Sequence, residues 1–203
     1  MKKLTLIALL AFAGTTNAQT EKGNWLFGGA TTFNFNSLSP SVKQDGVTID
    51  GNKSSTFTAT PSFGYFVTNN LAVGMDLELS AQKTKEYDYF TSSTTDVKTN
   101  IFSVIPSATY YFKNESKAFP YIGAGAGYAV AKAKVDGNSI DPTNFFVWKV
   151  KGGVAYMITN DISVDFGLNY NQFSTKYTYP SGEYYKSFNK NFGANIGFTL
   201  FLN

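Results

Sequence analysis

Five charged residues fall where strand periodicity would place them on one side of a sheet. Asp76 and Glu78 are two apart in MDLEL, Lys149 and Lys151 are two apart in WKVKG, and Asp165 lies in VDFGL. Residues i and i+2 of a strand share a face, so each pair presents like charges side by side. Two kinds of chemistry fit this set. The carboxylates and ammonium groups could relay a proton or line a polar path, or they could neutralise one another as a salt-bridge and hydrogen-bond network filling a narrow interior. The second reading is preferred, because nothing near them supplies a nucleophile's partner. The chain has no His and no Cys. That removes the commonest general base and metal ligand, any disulfide, and any lipid-modified N-terminal Cys. No catalytic residue, cofactor-binding residue or metal ligand is expected, and the chain is read as no enzyme.

The elements that must carry these charges are strands. In the stretch 154–173, VAYMITNDISVDFGLNYNQF, Val154, Tyr156 and Ile158 share a face before the Thr159-Asn160-Asp161 turn. Ile162, Val164, Phe166, Leu168 and Tyr170 continue an apolar face after it, opposite Ser163, Asp165, Gly167, Asn169 and Asn171. Period-two alternation of this length predicts a β-hairpin with one greasy and one polar face. The same pattern predicts seven further strands, at about 25–35, 55–67, 71–82, 101–112, 119–134, 146–156 and 187–202, around the one that begins at Ile162. Pro61 and Pro106 fall within strands, and Pro61 is expected to leave a local irregularity because it lacks an N–H. The polar stretches 36–53, 83–99, 135–144 and 174–186 read as loops, in alternation with tight turns such as Thr68-Asn69-Asn70. Eight strands joined alternately by long loops and short turns predict an all-β, antiparallel up-and-down barrel.

Aromatic residues make up 17% of the 203 residues, with 18 Gly, while charged residues are 15% and the net charge is +3. That balance offers no electrostatic case for a nucleic-acid partner. The start, MKKLTLIALLAFAGTTNAQT, has a basic pair, a short apolar run and small residues before Gln19. It reads as a cleaved signal peptide over residues 1–18, exporting a barrel domain over 19–203. No later segment approaches the ~20 apolar residues of a spanning helix.

Side-chain size decides which barrel face points outward. Trp25, Phe27, Phe57, Phe63, Phe102, Trp148, Phe166 and Phe192 share the apolar face, while Gly64, Gly74, Gly123, Gly125, Gly127, Gly153, Gly167 and Gly197 lie on the other. An eight-stranded interior is only just wide enough to be filled by side chains. So many rings cannot fit inside, as a soluble ligand-binding barrel would require. The bulky face therefore points out, into lipid.

The signal peptide, the segments GYFVTNNLAVG and PYIGAGAGY, and the last strand resemble the small eight-stranded outer-membrane barrels of the OmpX type and the membrane domain of OmpA. The closer resemblance, over 19–203, is to the family described as outer membrane protein beta-barrel domain. It implies residence in the cell outer membrane, contact with outer-membrane lipid, and insertion by the barrel-assembly machinery. Asn195, Gly197, Leu200 and Leu202 match the C-terminal assembly signal of such barrels, although the usual final aromatic residue is missing. Enzymatic outer-membrane barrels depend on His, which this chain lacks.

Tyr87, Tyr89, Phe90, Tyr177, Tyr179, Tyr184 and Tyr185 fall in the expected long loops. Their rings could contact a surface ligand, or the strands could run on beyond the membrane and make them an interfacial girdle; the girdle is preferred. Asp136, Asn138 and Asp141 lack the spacing of a Ca²⁺ loop and read as turn residues. The expectation is a monomer with a polar, plugged lumen and exposed loops, in a structural, adhesion or interaction role. The alternative is a narrow pore or an OmpW-like conduit for small molecules.

Overall fold

The structure, a computed structural model, describes residues 19–34, 42–44, 47–49, 53–88, 93–178 and 184–203, with side-chain surroundings for all of these except 33–55, 86–94 and 177–186. Eight long strands form the wall: β1 (Trp25–Asn34), β2 (Lys53–Thr68), β3 (Leu71–Asp88), β4 (Ser93–Tyr111), β5 (Ala118–Val135), β6 (Thr143–Met157), β7 (Ile162–Thr178) and β8 (Tyr184–Leu202). Each pairs antiparallel with its sequence neighbours. The β1–β8 pair, from Trp25↔Leu202 to Asn34↔Gly193, closes the cylinder. Closure removes the unpaired edges that an open sheet would expose.

The strands are longer than hydropathy suggests. The stretches 83–99 and 174–186, expected as loops, are mostly ladder: β3 and β4 pair from Leu71↔Tyr110 to Asp88↔Ser93, and β7 and β8 pair out to Thr178↔Tyr184. The apolar alternation marks only the part of a strand that needs an apolar surround. Backbone pairing continues past it, because hydrogen bonds between strands do not depend on what the side chains face. Between β1 and β2 a small hairpin pairs Val42–Gln44 with Val47–Ile49. The β5–β6 connection is also tighter than expected, an Asp136-Gly137 turn with positive φ at both residues, flanked by the pair Val135↔Asn138. Asp-Gly is suited to this because both central residues of such a turn need φ > 0.

Ladder register is kept across both prolines. Ala59↔Leu79 and Ser62↔Asp76 flank Pro61 in the same register, and Val104↔Tyr128 and Ser107↔Gly125 flank Pro106. The pairing itself is interrupted there, since the β2–β3 ladder skips Thr60 and Pro61 and the β4–β5 ladder skips Ile105 and Pro106, and a register shift lies between Phe66 and Thr68, at the β2–β3 turn. There Asn70 adopts φ 69°, and its side-chain oxygen accepts a 2.6 Å hydrogen bond from the Thr20 hydroxyl. The segment before β1 is thereby tied across this rim, with Asn70 N–H donating to the Thr20 carbonyl and Gly23 N–H to that of Phe66.

The bulky face points outward, as its size requires. Phe57, Phe198, Ile122 and Phe166 are more than half exposed, and Tyr128 is 73% exposed. Rings pair along this outer surface, Trp25 with Tyr65 at 5.1 Å and Tyr110 with Phe112 at 4.9 Å near the short-turn rim, and Trp148 with Tyr170 at 5.4 Å. A continuous exposed apolar surface of this kind requires an apolar surround.

Candidate functional site in the barrel lumen

The inward face carries a layered filling. Asp76 and Glu78 on β3 face Lys149 and Lys151 on β6 across the barrel. Lys149 Nζ lies 3.1 Å from Asp76 and 3.9 Å from Glu78, and Lys151 Nζ lies 3.1 Å from Asp76. The Asp76, Glu78 and Lys149 side chains are nearly inaccessible, and that of Lys151 is 21% exposed. Asn171 on β7 extends the cluster by donating to Glu78 at 3.1 Å, while its own side-chain oxygen is buried without a hydrogen-bond partner. Two carboxylates and two ammonium groups balance in charge, as buried ions must if they are not to be expelled from a low-dielectric interior.

Asp165 takes a different arrangement. Its carboxylate accepts 2.6 Å hydrogen bonds from the hydroxyls of Ser163 and Thr199, one at each oxygen. The structure thus brings four of the five charged residues into one ion cluster and gives the fifth a pair of hydroxyl donors on β7 and β8.

Below the ions, toward the short-turn rim, lies an inward aromatic layer that the sequence reading did not single out. Phe66, Tyr111, Phe119 and Phe201 are all buried, and Leu26 and Met157 pack with them. Phe201 lies 6.2 Å from Phe66 and 5.8 Å from Tyr111, ring centre to ring centre, and Tyr121 adds a further ring at 5.8 Å from Tyr111. Parity was the available signal: Phe66 alternates with Gly64, and Phe201 with Thr199, on the inward side. Room for Tyr121 comes from the facing glycines Gly153 and Gly167, since a Cβ on Gly153 would lie 2.8 Å from its hydroxyl and would collide with the Phe166 carbonyl. Above the ions, Ile105, Val147 and Phe173 form a second buried layer with Ile101 and Phe145 against it.

The lumen also holds two cavities. One of about 80 Å³ lies among Asp76, Lys151, Asp165, Tyr111 and Tyr121. The other, about 220 Å³, lies among Thr58, Ser80, Asn169, Asn171 and Asn189. Glu78 borders both.

A closed eight-stranded barrel with a polar, charge-paired lumen and an apolar exterior has the construction of a membrane barrel. The family model described as outer membrane protein beta-barrel domain matches residues 4–199. The chain belongs to that family. Neisserial surface protein A has a similar structure, with 20% identity, a TM-score of 0.53, and coverage of 88% of this chain and 97% of that one. OprG from Pseudomonas aeruginosa matches with 17% identity, a TM-score of 0.55, and coverage of 92% and 99%. The N-terminal barrel of OprF from the same organism matches with 15% identity, a TM-score of 0.51, and coverage of 89% and 98%. At these identities the likeness concerns the fold. No curated protein matches the sequence.

In an outer-membrane barrel the short turns face the periplasm and the longer loops face outward, which sets the aromatic layer at the periplasmic end. Among the expected loop residues, Tyr87 lies next to the end of β3, Tyr177 lies in β7, and Tyr184 and Tyr185 begin β8, with Tyr177 paired to Tyr185. These four sit on strand extensions. Tyr89, Phe90 and Tyr179 lie outside the described residues. Asp136 serves its turn, accepting a hydrogen bond from the Asp96 N–H at 2.9 Å. Among the described residues there is no group of three or more acidic, His or Cys side chains that would hold a metal ion. Asn195, Gly197, Leu200 and Leu202 all lie on β8, the strand that closes onto β1.

Proposed function

We propose that this outer-membrane barrel is plugged, and that it works as a structural or adhesive surface protein through its outer rim rather than as a pore. One observation carries the reading: the lumen is crossed in succession by the Phe66–Tyr111–Phe201 layer and the Asp76–Glu78–Lys149–Lys151 cluster. Residual space in the lumen is small, about 80 Å³ in one cavity and about 220 Å³ in the other. An ion would have to displace packed rings and break buried charge pairs to pass. The lumen ions are structural in this reading, and the chain has no catalytic role. Export uses removal of residues 1–18. Asn195, Gly197, Leu200 and Leu202 act as the signal to the assembly machinery, and the inserted form is a monomer, since eight strands close without a second chain.

The test is single-channel recording of refolded protein in a planar bilayer, after a gel shift between boiled and unboiled samples has verified folding. A silent bilayer is the expected result. Reproducible conductance altered by Asp76→Asn or Lys149→Gln would replace this reading with the pore. Intact mass of protein extracted from membranes locates the leader cleavage.

A further inference from the structure

The outer wall of β2–β5 carries a row of charge that the lumen does not explain. Lys83 on β3 is directly opposite Lys98 on β4, and Lys98 is directly opposite Lys134 on β5. All three side chains are exposed, as are those of Lys85 and of Lys132, which lies opposite Asn100. Like charges in opposed positions repel across a sheet. The buried ion pairs of the lumen involve none of these lysines. Among the described residues the acidic ones nearby are Asp96, opposite Lys85 one step further along the strands, Glu86 and Asp88 at the end of β3, and Asp136 at the adjacent turn. Three cations in register, Lys83, Lys98 and Lys134, therefore face outward, and the acidic residues lie beyond them toward the strand ends.

Directly below this row the wall is concave and apolar. A groove of about 680 Å³ runs between Phe57, Ala59, Leu79, Ala81, Phe102 and Val130, with Asn100 and Lys132 at its upper edge. The ladder explains its shape: Phe57 pairs with Ala81 and Ala59 with Leu79, so small side chains alternate with large ones across two strands. Height can be worked out along β5. From Ile122, near the periplasmic rim, to Lys132 is about 33 Å of strand at ~3.3 Å per residue. At a tilt of ~40° that is about 25 Å along the membrane normal, which matches the height of a barrel's apolar band. Lys132 thus stands at the outer edge of that band, and the Lys83–Lys98–Lys134 row lies immediately beyond it, at headgroup level.

The geometry points to a site for an acylated lipid with a phosphorylated headgroup in the outer leaflet, its chain in the groove and its phosphate against Lys83, Lys98 and Lys134. An apolar tail and a multiply anionic head, separated by the short distance from Phe102 to Lys98, satisfy both halves of the site. A polyanion without a tail satisfies only the lysines, and an uncharged lipid satisfies only the groove. A lysine near a negative lipid surface contributes about a fivefold gain in binding, so three in register give a preference on the order of a hundredfold.

Native mass spectrometry of the refolded full barrel in detergent, titrated with monophosphorylated lipid A and with the same lipid dephosphorylated, tests this. The expected result is a preference for the phosphorylated lipid on the order of a hundredfold. The triple variant Lys83→Gln/Lys98→Gln/Lys134→Gln should lose that preference while still showing the folded gel shift, because it removes repulsion and no packing. Ala81→Phe, which fills the groove, should weaken retention of both lipids. Equal retention of the two lipids by the wild type, or an unchanged preference in the triple variant, would overturn the proposal. So would binding of soluble heparin through the same lysines as tightly as the phosphorylated lipid, which would make the row a site for soluble polyanions.

Discussion

Replacing Lys149 by Met removes the ammonium that lies 3.1 Å from Asp76 and 3.9 Å from Glu78. The consequence falls unequally on the two acids. Asp76 keeps Lys151 at 3.1 Å, whereas Glu78 keeps only the hydrogen bond from Asn171. An almost wholly buried carboxylate without a counter-charge costs about 3–5 kcal/mol. Lys151→Met should cost less, about 1–2 kcal/mol, because Lys151 is partly exposed and Asp76 retains Lys149. The double variant Lys149→Met/Glu78→Gln should recover part of the loss, since it removes the stranded charge together with its partner. Urea titration of the barrel in lipid vesicles, followed by the fluorescence of Trp25 and Trp148 and extrapolated linearly, measures all three together with Glu78→Gln alone, which closes the cycle. A loss below about 1 kcal/mol for Lys149→Met, or strict additivity in the double variant, would refute the claim that this lysine is the buried counter-charge of Glu78.

Phe66→Ala removes a fully buried ring from the periplasmic layer and should lower stability by about 3–5 kcal/mol in the same titration. Gly153→Ala drives a methyl into the Phe166 carbonyl and the Tyr121 hydroxyl, with an expected loss of about 1–3 kcal/mol. Gly152→Ala is its control: the nearest atom to the new methyl is 3.4 Å away, and the same measurement should find little change. Asn70→Ala at φ 69° loses both an αL-tolerant residue and the Thr20 hydrogen bond, so about 1–2 kcal/mol should disappear. Asn70→Gly, which relieves the backbone part, should be milder.

Much of this protein was legible along one dimension. Alternation in 154–173 placed a hairpin, the same period placed eight strands, and ring size against an eight-strand interior decided which face turns outward. Those inferences hold because strand parity is a local property. Parity also put Asp76, Glu78, Lys149, Lys151 and Asp165 on the inner face before any partner was known.

Strand length escaped the sequence, because hydropathy reports what surrounds a strand and not where its ladder ends. β3 runs to Asp88 and β7 to Thr178 through residues that read as loop. The aromatic layer escaped too, since Phe66, Tyr111 and Phe201 meet only when β2, β4 and β8 are brought round the same cylinder. Register decided the rest. It set Lys149 between Asp76 and Glu78 while giving Asp165 to two hydroxyls, and it set Lys83, Lys98 and Lys134 in one row. A residue's face follows from its place in the chain, but its partner across the barrel follows from stagger and closure, which belong to all eight strands at once.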